Sequence, residues 1–120
     1  MKNLNDINPI LKEGSQEFDI YFTKPEYTRE FMMGYEFLKE HTDLVNRTIA
    51  ETHVCMGTIR ADNLNDVYYK MQGDVYSPEG QAREFIEASG VKRTSMSVGD
   101  IVFVNEEYYM VDNFGFKRIA

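Results

Sequence analysis

Cys55 is the only cysteine in 120 residues, so no internal disulfide framework can form and a reducing setting is expected. Cations are also scarce, with 13 lysines and arginines against 20 aspartates and glutamates and a formal net charge of -7. Affinity for phosphate backbones comes mainly from Lys and Arg, so direct binding of DNA or RNA is not expected. No stretch approaches the roughly 18 apolar residues of a membrane-spanning helix. The opening Met-Lys-Asn-Leu-Asn-Asp lacks the apolar core of a signal peptide. Together these absences predict a cytoplasmic protein with no membrane contact.

Catalytic signatures are missing too. There is no Gly-x-Ser-x-Gly elbow, and His41 and His53 are the only histidines. His53 and Cys55 alternate onto one face of an expected strand, but a metal site needs third and fourth ligands that the sequence does not place nearby. Cys55 within an apolar strand reads as a small hydrophobe rather than a reactive thiol. Gly73 and Gly80 flank a loop holding Asp74 and Glu79 and no lysine, which would repel a phosphate. Glu106 and Glu107 read as a solvated turn. No catalytic residue, metal or cofactor is predicted, and the chain is not expected to be an enzyme.

With 42% hydrophobic residues the chain has enough apolar material for one ordinary domain. Its organising stretch is 94–119. Residues 100–104 and 107–111, rich in Val, Ile and Tyr, read as two strands joined by a tight turn over Asn105 and Glu106, and a third short strand is expected through Phe114 and Phe116. Ile101 and Phe103 fall on one face and Val102 and Val104 on the other, so both faces need cover. That cover has to come from the first ninety residues, because a bare ribbon is marginal in water.

Phe18, Ile20 and Phe22 alternate as a first strand. Thr23-Lys-Pro-Glu then predicts a helix running to about His41, with Phe31, Tyr35 and Leu38 on its inner stripe and Met32 and Met33 at the edges of it. The β-branched run over 47–59 predicts another strand. Asp62 and Asn63 are placed to cap a short helix that Gly73 ends, and Ser77-Pro78-Glu79 to open a further one that Gly90 stops. The expected architecture is α+β: a single domain over 18–120, with a mostly antiparallel sheet ending in a β-meander and about three helices packed on it. Residues 1–17 read either as a polar arm or as a short helix packed through Ile7, Ile10 and Leu11.

The run Thr94-Ser-Met-Ser-Val-Gly-Asp-Ile-Val102, followed by Tyr109, Val111, Asp112 and Phe114-Gly-Phe-Lys117, resembles the C-terminal signature of the YodL-like small proteins of phages, plasmids and conjugative elements. The run Met71 to Gly80 is similar to a phage-type variant of that family. The likeness covers most of the chain from residue 18 onward, although its specific motif is only the last quarter. It implies a mobile-element accessory protein acting in a host cell, sometimes against host defences, and brings no catalytic residues with it.

Read physically, Ser95 and Ser97 precede Gly99 and Asp100 as short hydroxyls able to satisfy backbone groups at the entrance of a strand, and Asp112-Asn113 is a turn pair. Phe114 and Phe116 are expected on one strand face with an apolar element packed closely across Gly115. The competing reading makes Ser95, Ser97, Asp100 and Asp112 an exposed polar rim for a ligand or partner. Tyr69 and Tyr76, with Gln72 and Asp74 in the loop to Gly80, are the expected contact surface, since tyrosine offers a rigid apolar body with a polar tip. The function expected first is an interaction module that binds a host protein. The alternative is a small-molecule or nucleotide-binding protein using the polar rim. A third reading is an acidic DNA mimic, with Asp62, Asp66, Asp74, Glu79, Glu84 and Glu87 on one surface.

Overall fold

Strand β1, Gln16–Thr23, pairs antiparallel with β2, His53–Ala61, on one side and with β3, Ile101–Val104, on the other. Strands β4, Glu107–Val111, and β5, Phe116–Arg118, complete a five-stranded antiparallel sheet in the order β2-β1-β3-β4-β5. The computed structural model describes residues 3–120. The expected α+β architecture with a closing meander is what forms.

The two-residue period of the strands divides the apolar residues between two cores. Phe18, Ile20 and Phe22 of β1 share the larger core with Val102 and Val104 of β3, whereas Ile101 joins Met110 in a second core on the opposite face. The second core is roofed by α1, Pro25–Phe31, by α2, Tyr35–His41, and by a 3-10 turn over Leu44–Asn46, which bring in Phe31, Leu38 and Leu44. A single helical turn, α3, Ile49–Thr52, leads into β2. The larger core is covered by α4, Leu64–Lys70, α5, Gly73–Tyr76, and α6, Arg83–Ser89. Each fully buried Leu, Ile or Phe contributes about 1.5–3 kcal/mol, so the sheet is held from both sides. No described helix is long and apolar enough to cross a membrane.

The amino-terminal segment, open between arm and helix, is two 3-10 turns, Leu4–Asp6 and Pro9–Lys12, with Leu4, Ile7 and Leu11 buried in the larger core. The Asn8 side chain accepts from the Ile10 amide and opens the second turn.

Several local expectations are corrected. The helix expected to run to His41 is two helices, because Gly34 adopts φ +97 between them and a Cβ there would lie 2.4 Å from Asn113 Nδ2. The strand expected over 47–59 begins only at His53. Before it, the Thr48 hydroxyl donates to Glu51 within α3, so a local side-chain bond overrides β propensity. Gly73 starts α5 rather than ending α4. The helix expected from Ser77 begins at Arg83, since the Ser77 hydroxyl accepts from the Ala82 amide and holds 77–82 as a turn. The third strand starts at Phe116, and Phe114 lies outside it, 97% exposed, while a Cβ added at Gly115 would meet nothing within 4 Å.

Candidate functional site

Asp100 stands at the entrance of β3 and is fully buried. Its two carboxylate oxygens accept from both terminal nitrogens of Arg93 at 2.5 Å, from the Ser97 amide at 2.8 Å and from the Thr23 amide at 2.9 Å. Burial pushes the Asp100 carboxyl up from its ordinary value, against the opposing pull of Arg93 and of the two amides. Arg93 also donates to the Thr23 hydroxyl and the Ser95 carbonyl, and its guanidinium lies 4.8 Å over the Phe22 ring. One ion pair therefore joins the end of β1, the segment after α6 and the start of β3.

His53 closes the same knot from β2. Its Nε2 lies 2.8 Å from the Gly99 carbonyl, which can only accept, so Nε2 carries the proton and Nδ1 accepts from the Thr52 hydroxyl at 2.7 Å. Phe31 packs edge-on against the ring at 4.9 Å. Burial lowers the His53 pKa to about 4, with Arg93 and Lys24 lowering it further and the Gly99 carbonyl opposing. Gly99 is obligatory here, because it adopts φ +98 and a Cβ would stand 2.5 Å from Phe31 Cβ.

Ser95, Gln72 and Tyr76, also named from the sequence, stitch neighbouring segments together. The Ser95 hydroxyl accepts from the Gly73 amide at 2.7 Å, and Gln72 Nε2 donates to the carbonyls of Tyr68 and Met96. Tyr76 is fully buried, and its hydroxyl donates to the Thr94 carbonyl at 2.7 Å. Burial raises the Tyr76 phenol above its ordinary value. Asp112 accepts from the Tyr35 amide at 3.1 Å and so caps α2 from across the chain. The exposed rim expected from Ser95, Ser97, Asp100 and Asp112 is thus corrected for Asp100, which is wholly interior, and the contact surface expected around Tyr76 loses that residue. Ser95, Ser97 and Asp100 do come together, whereas Asp112 stands apart on the α2 side. Of the eight residues, Tyr69 and Asp74 are exposed. Ser97 Oγ is buried without a hydrogen-bond partner among the described residues.

Besides Tyr69, further large side chains face solvent. Phe114 is 97% exposed on the turn between β4 and β5, while Met32 and Met33, between α1 and α2, are about half exposed. The two segments meet through Asn113, whose Nδ2 donates to the Met33 carbonyl at 3.4 Å, and through Asp112, whose carboxylate holds both the Asn113 and Tyr35 amides. Fixed backbone thus presents three large apolar side chains. Sequence reasoning placed Met32 and Met33 at the edge of the inner stripe and Phe114 inside a strand. The available signal was the pair of turn formers Asn113 and Gly115 around Phe114, which favours a loop.

No group of three or more His, Cys, Asp and Glu is placed to hold a metal ion among the described residues. No family model, curated protein or solved structure matches the chain.

Proposed function

We propose that this chain is an accessory factor of a phage or other mobile element, YodL-like in kind, that docks on a host protein in the bacterial cytoplasm and modulates it, with counter-defence as the expected use. The observation that carries the reading is Phe114, a phenylalanine almost wholly in water on a turn tied down by Asp112 and Asn113. Large aromatics presented this way are characteristic of protein contact sites, and half-exposed methionines beside them adapt to a partner's shape. Ser95, Asp100 and Asp112 of the resembled signature are occupied in holding the fold, which favours binding over catalysis. A net charge of -7 suits a partner with a basic surface rather than nucleic acid itself.

The test is to pass bacterial lysate over immobilised protein and its Phe114→Ser variant, and to express both in cells challenged with phage. The expected outcome is one host protein retained by the parent and lost with the variant, together with altered phage restriction or host growth. If the parent retains nothing and its expression changes neither, the proposal is wrong.

One observation favours small-molecule binding as a second reading. A hollow of about 540 Å³ beside Ser95 is lined by Ser77, Arg83, Lys92 and Thr94, two cations and two hydroxyls, together with the carboxylate of Glu87. A thermal-shift screen across nucleotides would raise the melting temperature if that hollow is used. The DNA-mimic reading has less support, because Asp62 is engaged by the Ser15 amide and Asp66 by Lys70.

A further inference from the structure

Strand β2 forms one edge of the sheet, pairing with β1 alone. Its phase can be worked out from a bond on the far side of β1. The Thr23 amide donates to Asp100, toward β3, so its main chain faces away from β2. Alternation along β1 then turns the main chain of Phe22, Ile20 and Phe18 toward β2, and that of Tyr21, Asp19 and Glu17 away. The β2 residues opposite that second set, Cys55, Thr58 and Arg60, aim their N–H and C=O outward. Arg60 bears this out independently: its carbonyl accepts from Lys70 Nζ, which comes from α4 outside the ladder. Cys55 and Thr58 have no such partner among the described residues, and their main-chain groups open into a groove.

That groove, about 810 Å³, is lined by β2, by α6 and by the 3-10 turn at the amino end, where Leu4 packs beside Gly57. The volume is within the roughly 300–1,000 Å³ of ordinary ligand sites. Val54, Phe85 and Ala88 give it apolar walls, Glu84 stands on the helix side, and no lysine or arginine is among its lining residues. Unpaired strand edge on one side, helix on the other and apolar pockets between are what an added peptide strand requires: main-chain bonds supply affinity and alternate side chains supply specificity.

A second copy of this chain is a poor occupant. The bulge in β2, where Cys55 and Gly57 face consecutive residues of β1, spaces the outward groups of Cys55 and Thr58 three residues apart rather than two, which spoils regular pairing between identical edges. Two copies would also bring together charges of -7. We propose that the β2–α6 groove accepts an extended segment of a partner protein, apolar in its centre and flanked by lysine or arginine, as a sixth strand on the Cys55–Thr58 edge. The site is separate from the Phe114 surface, and either can fail without the other.

The experiment is selection of random displayed peptides on the full chain, followed by titration of an enriched synthetic peptide into ¹⁵N-labelled protein. Enriched peptides are expected to carry a β-branched or aromatic centre with adjacent lysine or arginine and to shift the amides of Cys55 and Thr58. N-methylation of the peptide's central amide should weaken binding about five- to tenfold, the worth of roughly one main-chain hydrogen bond. Ala88→Arg, an exposed change on the groove wall, should weaken it comparably, and Phe114→Ser should leave it unchanged. If no peptide is enriched, if N-methylation and Ala88→Arg have no effect, or if the shifts fall around Phe114, the groove assignment is wrong. A concentration-dependent dimer broken by Ala88→Arg would overturn it in favour of a second copy.

Discussion

Asp100 receives four hydrogen bonds inside the protein, two from Arg93 and one each from the Thr23 and Ser97 amides. Removing one member of such a pair strands the other, so Asp100→Asn is expected to cost about 3–5 kcal/mol in urea unfolding, mostly because Arg93 loses its counter-charge. His53 adds a pH dependence. Its folded pKa of about 4 lies below the ordinary 6.5, so between those values the unfolded chain takes up a proton that the folded chain refuses. Stability from this group is complete above pH 6.5 and is lost as pH falls toward 4, by about 3 kcal/mol at most. Denaturation at pH 7, 6 and 5 should show that slope, and His53→Gln should remove most of it. From the sequence, Ser95, Gly99 and Asp100 were legible as a structural unit at a strand entrance, whereas the Ser97 hydroxyl, expected to satisfy backbone there, has no partner among the described residues. Their partner Arg93 was not, because nothing local marks an arginine as the one that will fold back onto a buried carboxylate.

Elements were legible where the pattern is local and obscure where tertiary contacts decide. Strands β1, β3 and β4 follow from two-residue alternation, and Gly90 stops α6 as expected. The break between α1 and α2 falls at Gly34 and is held by Asp112 and Asn113, nearly eighty residues away, partners that no helix-period reading reveals. Asp112→Ala should therefore destabilise the protein by about 1 kcal/mol through loss of a cap, measurable in the same unfolding assay. The hairpin turn holds a further test. Asn105 and Glu106 both have positive φ, 51 and 64, a conformation that suits asparagine but not glutamate. Replacing Glu106 by glycine should raise stability by about 0.5–1 kcal/mol, whereas glycine introduced elsewhere in the meander should lower it.

At the scale of the whole molecule, a sheet apolar on both faces consumes nearly all the helix that precedes it, including the 3-10 turns at the amino end. Leu11 is fully buried there, so Leu11→Ala is expected to cost about 2–5 kcal/mol, a result a frayed arm would not give. What the fold leaves over is Phe114 with Met32 and Met33, Tyr68 and Tyr69 on α4, and an open strand edge. Phe114→Ser should leave unfolding within about 0.5 kcal/mol of the parent, since an exposed side chain has little folded contact to lose. The most direct measurement of the docking claim is photo-crosslinking in bacterial cells from benzoylphenylalanine placed at position 114, with position 106 on the neighbouring hairpin as control. The account predicts one dominant adduct to a host protein from position 114 and none of the same mass from position 106. Equal labelling from both positions, or no adduct from 114, would contradict it.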